Sequence, residues 1–277
     1  MLPGSGLSSS AAFEVLCGKI LSVLYNGDSV PAMKLAQAGQ YAENVFFGKP
    51  CGLMDQAACA CGGFLYIDFG DAAHPVTEKL TFDPEQEGYT FCIVNTHGNH
   101  ADLTDDYAAI PAEMRAVAAF LGKRVLRECE ESEFVSRLSE ARSAVGDRAV
   151  LRALHFFAEN RRVEQQREAL KAGDSERFFR QVTASGKSSF MFLQNVYAPH
   201  NPAEQGLSLA LAVSERFGAV CRVHGGGFAG TIQAYVPTES APAYREAIDG
   251  IFGEGACMLL RIRPFGAVTL SPDGIRE

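Results

Sequence analysis

The sequence predicts an α+β protein in two parts, and three observations carry that prediction. Helical runs stand between a few strand-like segments, at 64–69, 89–95, 219–224, 231–236 and 257–263. That pattern is a small sheet with helices packed on it. A charged stretch over 74–88, holding Pro75 and Pro84, interrupts the periodicity and marks a domain boundary, giving parts 1–85 and 86–277. The chain also opens with a glycine-serine loop that runs straight into an amphipathic helix.

Each element has a local cause. Phe13, Leu16, Cys17, Ile20, Leu21 and Leu24 recur at helical spacing, and Asn26-Gly27-Asp28 stops the run. Pro31 opens a second helix in the first turn, where its missing N–H costs nothing, and Leu35, Ala38 and Ala42 carry it to Phe46. Gly48-Lys49-Pro50-Cys51-Gly52 breaks that helix, a short third one begins near Met54, and Gly62-Gly63 leads into the first strand. In the second part helices are expected over 105–121, 131–144, 147–172, 175–195, 202–217 and 241–252. Phe156-Phe157 and Phe178-Phe179 read as helix core, whereas the charged run 127–133 and Arg161-Arg162 read as solvated surface.

Bulk properties narrow the function. A chain of 277 residues can bury a substantial core. A net charge of −8 and a pI near 5.3 argue against nucleic acid or an anionic membrane surface as partner. The apolar stretches fall short of the roughly 20 residues that span a bilayer. The eight cysteines form no Cys-x-x-Cys pair, so they read as small apolar residues of a reducing cytosol rather than a zinc site. Met1-Leu2-Pro3 lacks the features of a secretory leader, and the expected location is cytoplasmic. His97 and His100 follow a strand without an evident third ligand and read as loop histidines.

The chemistry-bearing residues cluster early. Gly4 and Gly6 let the backbone approach a polyanion, and Ser8, Ser9 and Ser10 place hydroxyls at a helix start, whose free amides favour phosphate. The loop lacks the Gly-Lys-Ser/Thr of a Walker loop, and taken alone a Gly/Ser linker fits it equally well. Glu43 and Asp55 could divide two tasks: completing a Mg²⁺ site with a serine hydroxyl, and accepting or orienting a hydroxyl proton during phosphoryl transfer.

Three segments in order carry a family resemblance. Pro3-Gly4-Ser5-Gly6-Leu7-Ser8-Ser9-Ser10-Ala11 looks like the second motif of the GHMP family of small-molecule kinases. Ala42-Glu43-Asn44, followed by Phe46, Gly48 and Cys51-Gly52-Leu53-Met54-Asp55-Gln56, resembles the stretch specific to galactokinases. Arg222-Val223-His224-Gly225-Gly226-Gly227-Phe228-Ala229-Gly230 is similar to the family's third motif. The resemblance implies the two-domain GHMP fold, with 1–85 the remaining part of the ATP-binding N-terminal domain and 86–277 the C-terminal one. It implies ATP and Mg²⁺ as cofactors and a monosaccharide, galactose first, as substrate. Gly4, Gly6, Ser8, Ser9, Gly226 and Gly227 would serve ATP, and Ser10 and Glu43 the metal. Asp55 would be the catalytic base, with Gly52, Asp55 and Tyr107 beside the sugar.

Departures set further expectations. The family's N-terminal signature, Gly-Arg-x-Asn-Leu-Ile-Gly-Glu-His-x-Asp-Tyr, supplies a catalytic arginine and has no counterpart in these residues. The expectation is an incomplete chain with little turnover, the alternative a non-catalytic sugar or nucleotide sensor. Pro111, Ala229 and Thr231 stand where galactokinases tend to carry other residues, which leaves another sugar, such as an N-acetylated hexosamine or arabinose, open as substrate.

Overall fold

The computed structural model describes residues 7–48, 51–71, 73–98, 103–228, 230–271 and 274–276. The chain forms two units: Met1–Asp83 with Arg261–Glu277, and Pro84–Leu260.

In the first unit, helix α1 (Ser9–Asn26) ends on left-handed Gly27, whose N–H reaches back to the Ser22 carbonyl. Helix α2 (Ala32–Tyr41) follows Pro31 and runs into one turn of π-helix, Ala42–Phe46, where continuous α-helix was expected. Helix α3 (Met54–Cys61) then turns through Gly62 into strand β1 (Phe64–Asp68). β1 pairs antiparallel with β2 (Val76–Leu80), a strand the sequence reading missed because Val76-Thr77-Glu78-Lys79-Leu80 is too polar to stand out.

The core of this unit is small: Val15, Ala36, Leu53, Ala57 and Ala60. Here periodicity and burial part company. The six apolar residues that announce α1 do not form its buried face. Ala11, Val15, Lys19 and Ser22 are buried instead, while Phe13 is 67% exposed and Leu16, Ile20, Leu21 and Leu24 also face outward.

The unit recruits the last residues of the chain, which the sequence reading left in the second part. Gly62 lies so close to Phe265 that a Cβ would sit 2.2 Å from the Phe265 carbonyl carbon, and a Cβ on Gly266 would lie 1.8 Å from the Ala60 oxygen. Two glycines thus allow backbone to lie on backbone. Gly63 N–H donates to the Arg263 carbonyl at 2.8 Å, and Thr269 Oγ1 donates to Asp28 at 3.0 Å. Two short antiparallel strands, Thr269–Ser271 and Gly274–Arg276, close the chain.

The second unit is built on a four-stranded sheet, β3 (Tyr89–Asn95), β4 (Val220–Val223), β5 (Thr231–Pro237) and β6 (Cys257–Leu260), in the order β4-β5-β3-β6 with every neighbour antiparallel. Both faces are covered, which explains why 89–95 is apolar without alternation. Cys92, Val94, Ile232, Ala234 and Val236 pack on α9 (Gly206–Arg216) and α10 (Ala241–Phe252) through Leu207, Ala210, Tyr244 and Ile248. On the other face Tyr89 and Tyr235 meet Phe179 of α8 (Ser175–Ser188) at ring separations of 4.5 and 5.3 Å.

A helical subcore joins α4 (Thr104–Phe120), α5 (Glu131–Ser136), α6 (Leu138–Val145) and α7 (Asp147–Lys171) around Val117, Phe134, Ala153 and Phe157. The single helix expected over 131–144 is thus two, split at Arg137. Phe157, Phe178 and Phe179 are buried as expected, but Arg162 is not solvated: its side chain is 13% exposed and paired with Glu159 at 2.7 Å. Among the described residues no helix is long and apolar enough to cross a membrane, and no three His, Cys, Asp or Glu cluster as metal ligands.

Candidate active site

In the first unit the serine run and both carboxylates meet. Ser8 stands at the N-cap of α1 in a left-handed conformation (φ 51°), and its side chain makes no cap hydrogen bond to the first turn. The first-turn N–H groups of a helix lack intrahelical partners and favour an anion, and α1 itself carries no acidic residue in that turn. The Ser8 hydroxyl donates to Asp55 Oδ2. Asp55 lies exposed in the first turn of α3.

Two residues on from Ser8, Ser10 Oγ donates to Glu43 Oε1 at 3.3 Å. Glu43 is only 5% exposed. A carboxylate taken from water is costly unless hydrogen-bonded, and the buried Gln56 amide supplies that bond, donating from Nε2 to Glu43 Oε2 at 2.9 Å and to Glu14 Oε2 at 3.1 Å. Gly39 makes the room: a Cβ there would sit 3.2 Å from the Glu14 side chain and 3.4 Å from Gln56 Cγ. The π-turn brings Glu43 inward, and Asn44 pins the chain beyond it by accepting from Cys51 N–H at 2.7 Å and donating to the Cys51 carbonyl at 3.3 Å. Burial and the neighbouring Glu43 carboxylate push the Cys51 thiol up to about 11, so it stays neutral. Gly52, next in sequence, has open space where a Cβ would be.

Gly4 and Gly6 lie outside the described residues, as do His100 and Ala229. Ser9 begins α1 and is half-buried.

In the second unit the glycine loop between β4 and β5 is held from two sides. Tyr107 of α4 donates its hydroxyl to the Gly227 carbonyl at 2.8 Å and packs edge-on against Phe228. Burial raises the Tyr107 hydroxyl above its ordinary value, which keeps it a donor. Asn195 donates from Nδ2 to the Gly226 carbonyl at 3.1 Å, and its own carbonyl accepts from Phe228 N–H at 2.5 Å. Only glycine fits at both positions: a Cβ on Gly226 would meet Tyr107 Cε1 at 2.7 Å, and one on Gly227 (φ 83°) would meet the Asn195 carbonyl oxygen at 2.0 Å.

Sequence reasoning found Asp55, Glu43 and the serines but gave no role to Gln56, Asn44 or Asn195. Gln56 had a signal, as the amide directly after Asp55 in the quoted segment. Asn195 had none, because the glycine loop it holds lies 31 residues away at Gly226.

The donor set at Ser10 and Glu43 consists of two oxygens, which suits Mg²⁺, a cation that takes few protein ligands and keeps its waters.

Residues 1–63 match the family described as GHMP kinases N terminal domain. The chain is 33% identical over 245 residues to a galactokinase of Glaesserella parasuis serovar 5, covering 88% of this chain and 61% of the relative. It is 35% identical over 246 residues to a galactokinase of Actinobacillus pleuropneumoniae, again covering 88% and 61%. The crystal structure of Lactococcus lactis galactokinase complexed with galactose matches with a TM-score of 0.75 at 26% identity, over 96% of this chain and 68% of that one. The chain spans about three fifths of the length of the two curated relatives. Over residues 1–63 the chain is thus similar to the GHMP kinases, and along most of its length it is similar to galactokinases, whose α+β fold it shares.

Proposed function

We propose that this protein serves the transfer of the γ-phosphoryl group of ATP to a monosaccharide hydroxyl, galactose giving galactose 1-phosphate. The observation that carries the reading is the start of α1, where the Ser8 hydroxyl donates to Asp55 and the Ser10 hydroxyl to buried Glu43. In this reading Asp55 accepts the sugar's anomeric proton as the sugar oxygen bonds to phosphorus and the bond to the ADP oxygen breaks. Ser8, by donating to the same carboxylate, keeps it oriented. Ser9 and the first-turn amides, with Gly4 and Gly6, hold phosphate oxygens. Ser10 and Glu43 would hold Mg²⁺, which offsets phosphate charge. The open space at Gly52 admits the sugar, and Tyr107, donating to Gly227, keeps its oxygen lone pairs for a sugar hydroxyl. Gly226 and Gly227 would serve ATP, as the family resemblance implies. A cytoplasmic location goes with this reading, since the reaction consumes ATP.

The test is transfer of labelled γ-phosphate from ATP to galactose in the presence of Mg²⁺. Asp55→Asn keeps the shape and removes the base, and the rate is expected to fall by about 10² or more while ATP affinity stays within about threefold. Undiminished transfer by Asp55→Asn, or no transfer to any monosaccharide under conditions where ATP binds, overturns the reading.

A further inference from the structure

The helices of the second unit hold a buried charge that the proposed chemistry does not use. Arg152 of α7 is 1% exposed, the largest fully buried side chain described. Its Nη1 donates to Glu113 Oε2 of α4 at 2.8 Å, and its Nε donates to the Leu193 carbonyl at 3.1 Å. Leu193 ends the one-turn π-helix Ser189–Leu193 that follows α8. A carbonyl at a helix end needs an external donor when buried, and Arg152 is that donor. The chain turns sharply at the next residue, Gln194, in the left-handed region (φ 58°), and so delivers Asn195 to the glycine loop. Ser189, at the start of the same π-turn, donates to Asn195 Oδ1 at 2.6 Å and fixes which way the amide faces. Asn195 Nδ2 is thereby aimed at the Gly226 carbonyl.

The connections form a closed ring. From Glu113 they pass through Arg152 to Leu193, then through Asn195 to Gly226 and Gly227, and Tyr107 returns them to α4, the helix that carries Glu113. A buried ion pair is weak evidence for added stability, since desolvation offsets the attraction, and its best-attested use is to select one arrangement among several. A ring of directional bonds ending on two glycine carbonyls is such an arrangement.

We propose that Arg152 is a positioning residue for the glycine loop: bonded to Glu113 and the Leu193 carbonyl, it fixes the π-turn that presents Asn195 to Gly226 and Phe228. The functional consequence rests on the nucleotide-site reading above. A loop held in one conformation is ready for phosphate, and a loop released from Asn195 must be ordered at the cost of affinity.

The test combines hydrogen exchange with ATP affinity in Arg152→Lys and Ser189→Ala, with the exposed Arg142→Gln as control. Arg152→Lys keeps the charge but loses the planar fork that serves two acceptors at once. Ser189→Ala removes one hydroxyl and guards against a fold failure at Arg152. Both are expected to raise amide exchange at 225–228 by tenfold or more, with the urea midpoint of the whole unit changing far less, and to raise the Kd for ATP three- to tenfold. Arg142→Gln is expected to do neither. Unchanged exchange at 225–228 in both Arg152→Lys and Ser189→Ala overturns the positioning role. Faster exchange with unchanged ATP affinity upholds the positioning role and counts against the nucleotide reading of the loop.

Discussion

The two units treat their large apolar side chains in opposite ways. The second hides them: Ile232, Tyr244 and Ile248 are fully buried between the sheet and α9 and α10, and the aromatic ladder of Tyr89, Phe179 and Tyr235 fills the other face. The first turns them out. α1 rests on its neighbours through Ala11, Val15 and Ser22, and shows Phe13, Leu16, Ile20 and Leu24 on the opposite side. Its π-turn adds exposed Val45 and Phe46. Small residues inside bring α1, α2 and α3 close together, and that closeness is what sets Ser8 against Asp55 and Ser10 against Glu43. The first unit therefore orders its site by hydrogen bonds and short side chains, the second by a filled core.

The largest expected effect that sharpens this contrast is a matched pair of truncations. Ile248→Ala, at a residue with no exposure, is expected to destabilise the second unit by about 2–5 kcal/mol through lost burial and a cavity. Ile20→Ala, at a residue 48% exposed, is expected to cost under about 1 kcal/mol, both read from urea midpoints. Equal losses would erase the contrast.

A smaller effect concerns pH and belongs to the second unit alone. Burial pushes the His155 imidazole down to about 4, aided by Arg162 and Arg222 and opposed by Glu159. The ring meets the Ser188 hydroxyl at 2.9 Å. Burial disfavours the Glu159 anion, but the Ser185 hydroxyl, Arg222 and Arg162 more than offset it and hold the carboxyl below its usual range. Between about pH 6.5 and 4 the unfolded chain takes up a proton at His155 that the folded chain refuses, so stability falls as pH drops across that window. The loss reaches about 2–3 kcal/mol by pH 4. His155→Gln should flatten the pH dependence of the urea midpoint between pH 6.5 and 4.5, and an unaltered slope would show that the imidazole is not held neutral.

Much of this was legible in the sequence, for reasons that also mark the limit. Helical spacing located α1, but spacing names a periodic face and not the direction it points, and at α1 the direction is reversed. Strand β2 escaped notice because a polar two-stranded ladder carries little apolar signal. The return of the C-terminal residues to α3 depends on Gly62 and Gly266 meeting carbonyls more than 200 residues apart in the chain, which no local pattern encodes. At the site, Asp55 was readable as a carboxylate set among small and apolar residues, and Glu43 through the family resemblance of the segment that holds it. Their supports were not. Gln56 acts by standing between Glu14 and Glu43, and Arg152 by reaching Leu193 41 residues on. Both π-turns, which deliver Glu43 and Asn195 to their places, lie in stretches that read as uninterrupted α-helix.

The central claim is that the start of α1 with Glu43 forms a metal-dependent phosphate site, and calorimetric titration of ATP tests it most directly. With Mg²⁺ present ATP is expected to bind, and either withdrawal of Mg²⁺ or Glu43→Ala is expected to weaken binding by tenfold or more. Binding of equal strength with and without Mg²⁺, unaffected by Glu43→Ala, would contradict it.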